Sequence, residues 1–489
     1  MLRLQFAGCV VLSVSFKEIG MKKAAVLALV SLFAVALLFS LTPVSLSAQA
    51  PTITPVPPVE RPAGSIEVTF WYGLGGNLGN VVQEVVNLYN RSQSTYYVNA
   101  VFQSSYDDTI NTINAGLASG NLPNVAQIFE AGSQRMIDTG RTIPVQTFFE
   151  RDGLLDVIED MEPAVRANYE IDGVLWSAPF NSSTAMLYIN RAAAAEAGID
   201  ADNPLVTYDM VADYARRLTV RDANGNVTRY GLGIYAEGWF LEQIHAIHDT
   251  FIGLPENGRG GERMTEYVYN GEVGVQWVEW LRSLVDEGVA IYYGAAAGGS
   301  GASSAAFANG EIAMHFASIA SLRGLIAAAA NAGRGVEVGV LYMPRSEGAT
   351  GKTIVGGASL WITDVGTTEQ QEGAWDFIRF TLQPEVQAFW AVNTGYYPVV
   401  RAAYDLPEMQ AGLERFPQFQ VAIDQIRMAP ITNANTAHVS GIFVPYRTHY
   451  VAAFDQYFTG QFASAQEALD SAVAISNEQL EEYNLTVGR

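Results

Sequence analysis

Apolar and polar positions along this chain alternate between two periods. IEVTFWY (Ile66 to Tyr72) alternates at the two-residue period of a strand, and Gly73 to Gly79 reads as a turn. Val81, Val82, Val85, Val86 and Tyr89 then recur at helical spacing. YYVNAVF (Tyr96 to Phe102) predicts a second strand, Asp107 to Ala118 a second helix, and NVAQIFE (Asn124 to Glu130) a third strand. This βαβαβ opening favours a parallel sheet covered by helices, with ligands at the carboxyl ends of its strands. Tyr106 and Glu130 fall at or just beyond such ends.

Further along, TYDMVADYARRL (Thr207 to Leu218) predicts an N-capped amphipathic helix, and EIAMHFAS (Glu311 to Ser318) an apolar strand. DANGN (Asp222 to Asn226) resembles half of a calcium loop but lacks its bidentate Glu, so an Asn224-Gly225 hairpin turn is expected. The low-complexity stretch Ala295 to Gly310 offers little to a core and is expected as a loop.

Residues 1–50 are read as an N-terminal extension and signal peptide. Lys22 and Lys23 precede an apolar run from Ala24 to Leu41, which ends in small residues near Ser47 to Ala50. A run of this length also suits a membrane anchor. Residues 51–63 form a Pro-rich linker, with prolines at 51, 55, 57, 58 and 62, and read as an extended tether or disordered leader.

With 489 residues the chain exceeds what one core usually organises, so two or more domains are expected. Hydrophobic residues at 49% and charged ones at 16% exclude a disordered chain. The net charge of -22 argues against a partner held by its phosphate backbone, so no nucleic acid is expected. Loss of residues 1–50 would leave 24 basic against 49 acidic residues, a net of -25. The one cysteine, Cys9, lies in that segment, so the exported part has no disulfide or thiolate chemistry.

Motifs for catalysis are weak. GLGGNLG (Gly73 to Gly79) follows a strand but misses the dinucleotide spacing and lacks the later acidic residue. His245 and His248 stand three apart without a third metal ligand nearby, and no P-loop or G-x-S-x-G elbow occurs. Carboxylates are numerous enough for glycoside hydrolysis, but nothing in their placement supports it. Binding without chemistry is the default reading.

Specific motifs then appear in order: TFWYGLGGNLG, SSYDDTINTINAGLASGNLPNVAQIFEAG, PFNSSTAMLYINRAAAAEAGID, GWFLEQ, GEIAMHFAS, VGGASLWI, NTGYYPVV and VPYRTHYVAAFDQYF. Across nearly all of residues 65–485 they resemble the solute-binding proteins of bacterial glycerol-3-phosphate ABC importers, relatives of the maltose-binding proteins. The resemblance implies an α/β, two-lobed periplasmic-binding-protein fold of type II, with a ligand cleft between lobes joined by three crossings. Lobe 1 would comprise 64–182 plus 319–366, and lobe 2 would comprise 183–318 plus 367–489. It implies ligand contacts at Tyr106, Glu130, Ser183, Trp239, Ser318, Gly357, Tyr396 and Arg447.

In that reading the Glu130 carboxylate accepts from glycerol hydroxyls and Arg447 forks a phosphate, while Asp455 is an alternative ion-pair partner for Arg447. Ser183, Ser318, Tyr106, Tyr396 and the Gly357 N-H would supply neutral donors. Where family members carry two tryptophans, this chain reads YAEGW, with Ala236 first and Trp239 second. The smaller residue suggests room for a glycerophosphodiester such as glycerophosphocholine, whose cation Trp239 and Tyr235 would face. The resemblance further implies a monomer without cofactor, metal or catalytic residue, exported to the periplasm or cell surface and delivering its ligand to membrane permease subunits. An oligosaccharide-binding protein and an exported hydrolase are the alternative readings.

Overall fold

The computed structural model describes residues 56–488; the expected signal peptide and the first prolines of the linker lie outside the described residues. In the first of two six-stranded sheets, Ile66–Tyr72 pairs in parallel with Tyr96–Phe102 on one side and Val125–Phe129 on the other. The strand Gly356–Thr363 runs antiparallel beside Val125–Phe129 and also pairs with Ala178–Ser183 and Thr142–Ile143. The βαβαβ opening is therefore present, with helices Gly76–Ser92 and Tyr106–Ser119 as its crossovers. The first is seated by the predicted stripe, since Val81, Val82, Val85, Val86 and Tyr89 are all buried. It begins inside the glycine run that was expected to be wholly turn.

In the second sheet, Val227–Ala236 has parallel neighbours in Ala290–Ala295 and Ile312–Ser318. Ala185–Asn190 runs antiparallel to Ile312–Ser318 and to Val338–Leu341. A single buried residue, Thr184, separates Ser183 of the first sheet from Ala185 of the second. Its carbonyl accepts from the Ile319 N-H at 2.9 Å, so the end of Ile312–Ser318 is tied to this crossing. Of three hydrophobic clusters among the described residues, the two large ones each draw on both sheets, Ile128 with Ile189 in one and Phe70 with Tyr188 in the other.

Four expectations need correction. Val338–Leu341, expected in lobe 1, completes the second sheet, where its four buried residues cover the edge of Ala185–Asn190. Helix Thr368–Thr381, expected in lobe 2, packs on the first sheet, with Phe377 5.5 Å from Phe70 and 5.2 Å from Tyr89 between ring centroids. The stretch expected as a loop contains helix Ala296–Ala308, because its small residues let it lie close to the second sheet. A Cβ on Gly299 would come within 2.9 Å of the Tyr235 Cβ, and one on Gly233 within 2.9 Å of Ser303 Oγ. The described part of the leader is docked: Asn87 accepts from the Val59 N-H at 3.2 Å and donates to the Pro57 carbonyl at 3.1 Å.

The predicted helix Tyr208–Leu218 forms with Thr207 as its N-cap, and Asp222 to Asn226 makes the expected turn between Val220–Arg221 and Val227–Ala236. His245 and His248 are tied separately: His245 Nδ1 lies 3.0 Å from Thr250 Oγ1, and His248 Nδ1 lies 2.8 Å from the Ile244 carbonyl. Burial pushes His245 down to about 4. Among the described residues no group of three or more side chains could hold a metal ion.

Candidate functional site

Glu130 immediately follows strand Val125–Phe129 and opens a short turn, which carries its carboxylate past the end of the first sheet. Arg447 lies on helix Phe443–Phe458, which packs against the second sheet and against helix Gly238–Ile247. The two meet, with Arg447 Nη2 donating to Glu130 Oε1 at 2.7 Å. The other Glu130 oxygen accepts from the Gly357 N-H at 3.1 Å. Gly357 has φ 123°, and a Cβ there would fall 1.9 Å from the Asn181 carbonyl oxygen, so only glycine allows this approach.

Arg447 also grips Glu242 from helix Gly238–Ile247, with Nε to Oε1 at 2.7 Å and Nη2 to Oε2 at 2.8 Å. Tyr446 donates to the same Oε1 at 2.8 Å. The side chains are 6% exposed for Glu130, 15% for Arg447 and 2% for Glu242, so this is a buried carboxylate, guanidinium, carboxylate triad. Burial by itself lowers the Arg447 guanidinium, but Glu242 and Glu130 more than reverse this and hold it well above its ordinary value. Burial pushes the Glu242 carboxyl up; Arg447 draws it back and the like charge of Glu130 adds to the rise. The alternative partner Asp455 is not used by Arg447 and instead accepts from the Tyr292 hydroxyl at 2.8 Å.

Beside the triad runs a chain of buried amides. Gln127 accepts from the Gly73 N-H at 3.0 Å and donates to Asn181 Oδ1 at 2.8 Å. Asn181 in turn donates to the Tyr106 hydroxyl at 2.8 Å. Tyr106 stacks on Phe129 at 5.3 Å with 7° between ring planes, and its hydroxyl bonds with that of Tyr396. Tyr396 is itself stacked on Trp390 at 5.8 Å. The Trp239 indole lies over Gly356, where an added Cβ would sit 2.5 Å from its ring. Its Nε1 is buried without a hydrogen-bond partner among the described residues. Glu237, the N-cap of the same helix, accepts from the Trp239 N-H at 3.2 Å, and burial raises its carboxyl.

Six of the eight expected residues are thus linked in two contact groups: Glu130, Arg447 and Gly357 with Trp239 next to them, and Tyr106 with Tyr396. Ser183 is buried and pairs in register with Gly356, adjacent to Gly357. Ser318 Oγ accepts from the Ala320 N-H at 3.2 Å and caps a short turn, so it contacts neither group directly. Tyr235 is buried against Phe240, on which Trp239 also packs, and against the helix Ala296–Ala308. Ala236 is fully buried in the second sheet, paired with Ala295.

Sequence reasoning missed Glu242, Asn181 and Gln127. Glu242 and Gln127 stand as polar residues inside apolar stretches, in GWFLEQIHAI and VAQIF, which is the signal that would have found them, whereas Asn181 opens the polar run NSST and carries no such mark.

Residues 84–417 match the family described as bacterial extracellular solute-binding protein. The sn-glycerol-3-phosphate-binding periplasmic protein UgpB of Yersinia enterocolitica is 30% identical over 427 residues, covering 86% of this chain and 93% of that protein. UgpB of Escherichia coli is 30% identical over 422 residues, covering 85% and 93%. Among solved structures, UgpB of Mycobacterium tuberculosis in complex with glycerophosphocholine superposes with TM-score 0.70 at 20% identity, covering 86% of this chain and 100% of that one. The GacH receptor of Streptomyces glaucescens, solved unliganded and with acarbose, gives TM-score 0.68 at 18% identity, covering 85% and 99%. The two sheets are those of the two-lobed, maltose-binding-like fold. By sequence and by fold together, the chain belongs to the bacterial extracellular solute-binding protein family.

Proposed function

We propose that this exported solute-binding protein of an ABC importer takes glycerol 3-phosphate or a glycerophosphodiester between its lobes and presents it to the permease. The observation that carries the reading is the position of Arg447, a buried guanidinium held between carboxylates on the two sides of the molecule. A phosphate reaching it competes with Glu130 and Glu242 for charge-assisted bonds. Glu130, released from Arg447, becomes an acceptor for glycerol hydroxyls. Ligand contacts from both lobes would favour the closed arrangement over the open one, which is how binding is converted into a docking signal.

Charge refines the ligand class. Glu130 and Glu242 outweigh Arg447 by one negative charge, and Glu237 stands beside them. A dianionic monoester meets repulsion here, whereas a phosphodiester whose headgroup carries a cation offsets it. The Trp239 face adds a cation-π contact of roughly 0.5–2 kcal/mol. Glycerophosphocholine, the molecule bound by the Mycobacterium tuberculosis relative, has this chemistry. The same excess of carboxylates also admits a sugar or sugar analogue, such as the acarbose bound by the GacH receptor, and this is the second reading.

Calorimetry with glycerol 3-phosphate, glycerophosphocholine and maltotriose tests the proposal. Tight binding of a glycerol phosphate, weakened by Arg447→Ala, supports it. Binding of maltotriose with no heat from either phosphate would overturn it in favour of the sugar reading.

A further inference from the structure

Away from the triad, a loop on the second-sheet side reaches over to the first sheet at two points. The loop, 255–265, joins the paired strands Gly253–Leu254 and Glu266–Tyr267, and the second of these packs on helix Ala465–Thr486, which lies against Phe443–Phe458. Asn257, 2% exposed, fixes the loop at its base. Its Oδ1 accepts from the N-H groups of Ile252 at 2.9 Å and Gly253 at 3.1 Å, and its Nδ2 donates to the Asn433 carbonyl at 3.1 Å. From this base Arg259 and Arg263 extend to different elements of the first sheet.

Arg263 forks the Asp138 carboxylate, with Nη1 to Oδ1 and Nη2 to Oδ2 both at 2.8 Å. Asp138 ends the helix Ser133–Asp138, which lies in sequence between strands Val125–Phe129 and Thr142–Ile143 of the first sheet. Its side chain is 4% exposed and also accepts from the Tyr483 hydroxyl at 2.9 Å, so the pair is of the buried, forked kind that is costly to break. Arg259 instead meets backbone: Nη1 donates to the Ala167 and Glu170 carbonyls at 2.9 and 3.2 Å, and Nη2 to the Asn168 carbonyl at 2.9 Å. These carbonyls lie at the C-terminal end of helix Pro163–Tyr169, which packs on strand Ala178–Ser183, and a helix end of this polarity favours a cation.

The same contacts bear on the triad. Glu130 and Asp138 belong to one continuous turn and helix, 130–138, and within it Arg135 Nε donates to the Gly441 carbonyl at 2.9 Å, just before the helix that carries Arg447. The Tyr483 ring lies 5.4 Å from the Arg135 guanidinium and 6.0 Å from that of Arg263. Segments bearing Glu130 and Arg447 are thereby joined without help from either side chain, in the arrangement in which those two side chains meet. None of the joining residues is among the expected ligand contacts.

We propose that loop 255–265 is an inter-lobe clasp, in which Arg259 and Arg263 hold the two sides of the molecule together before ligand is present and so set the resting balance between open and closed forms. The assignment rests on the reading that ligand is taken between the lobes, and it adds a control on affinity that touches no ligand. A ligand selective for the closed form binds with an apparent affinity scaled by the fraction already closed. Weakening the clasp lowers that fraction and loosens every such ligand alike.

Small-angle X-ray scattering of the ligand-free protein, with calorimetry on glycerol 3-phosphate and glycerophosphocholine, compares the parent with R259Q/R263Q. The expected result is a larger radius of gyration in the ligand-free double variant, returning toward the parent value at saturating ligand, and an affinity lower by about fivefold or more for whichever ligand the parent binds. Melting curves check that the variant folds; if it does not, D138N, which keeps the shape of the side chain and removes its charge, is measured in the same way. A radius equal to that of the parent together with affinity within twofold overturns the clasp, even where the melting temperature falls, because the contacts would then be ordinary packing. Absence of heat from both phosphates in the parent removes the ligand reading alone, since the scattering comparison needs no ligand and still decides the clasp.

Discussion

Arg447 and Glu130, 317 residues apart in the chain, meet at 2.7 Å where the two sheets face each other. Glu242 closes the guanidinium from the other side at 2.7 and 2.8 Å. An arginine shared by two buried carboxylates carries fold stability and, on the proposed function, ligand affinity through one side chain. Arg447→Ala leaves both carboxylates buried and unpaired, and breaking such a pair costs about 3–5 kcal/mol. A fall in unfolding free energy of that size, measured by urea titration, is expected, partly recovered by Arg447→Lys, together with a loss of phosphate affinity much greater than any loss for neutral glycerol. Equal effects on both ligands in calorimetry would contradict the assigned role.

The amide chain from Gly73 to Tyr106 gives a second test. Asn181→Ala removes the partner of both Gln127 Nε2 and the Tyr106 hydroxyl. The Tyr106 hydroxyl keeps its bond to Tyr396, so the Gln127 amide is the group left unsatisfied, at a cost of about 1–3 kcal/mol. Urea unfolding should show a loss in this range or above, with the m-value unchanged; a loss below the range would mean that the chain contributes little.

Gly357→Ala is expected to destabilise more than an ordinary glycine substitution, by well over ~1 kcal/mol. The added methyl would enter the backbone of Ala178–Ser183 at Asn181, and moving the strand away would also break the Gly357 bond to Glu130. A melting temperature within a degree or so of the parent would show that the strand yields at no cost.

Glu237 makes the pH dependence testable. Burial raises its carboxyl above the ordinary value of 4.5, so over the window between that value and the raised one the folded chain holds more protons than the unfolded chain. Stability contributed through this group is then full below the window and is lost as pH rises through it. Glu237→Gln keeps a side-chain oxygen for the Trp239 N-H but does not ionise. Melting temperatures measured from about pH 4 to about pH 7 should show the variant gaining on the parent as pH rises. Parallel curves would remove Glu237 as the source.

Local pattern and tertiary approach contributed differently to what could be read. Ile66–Tyr72, Tyr96–Phe102 and the helix stripe Val81 to Tyr89 were legible because one buried face imposes a period on the residues that cover it. The helix Ala296–Ala308 was not, because Gly and Ser are poor helix formers in isolation and no stripe marks a face. What selects them is the closeness of the second sheet, with Gly299 against Tyr235 and Ser303 Oγ at 3.4 Å from His315 Nδ1. Val338–Leu341 and Thr368–Thr381 were assigned to the wrong sides for a related reason: an apolar segment fits either sheet, and only pairing partners distant in sequence decide.

By itself the sequence determined the α/β class and, through its ordered motifs, the resemblance to the binding family, from which came the expectation that Glu130, Gly357 and Arg447 share a site. Only the tertiary structure decided that Arg447 is shared between Glu130 and Glu242 and that Asp455 belongs to Tyr292. The physical reason is burial. Once a guanidinium leaves water, it pairs with whichever carboxylates the packing brings within reach, and that distance is set by elements hundreds of residues apart.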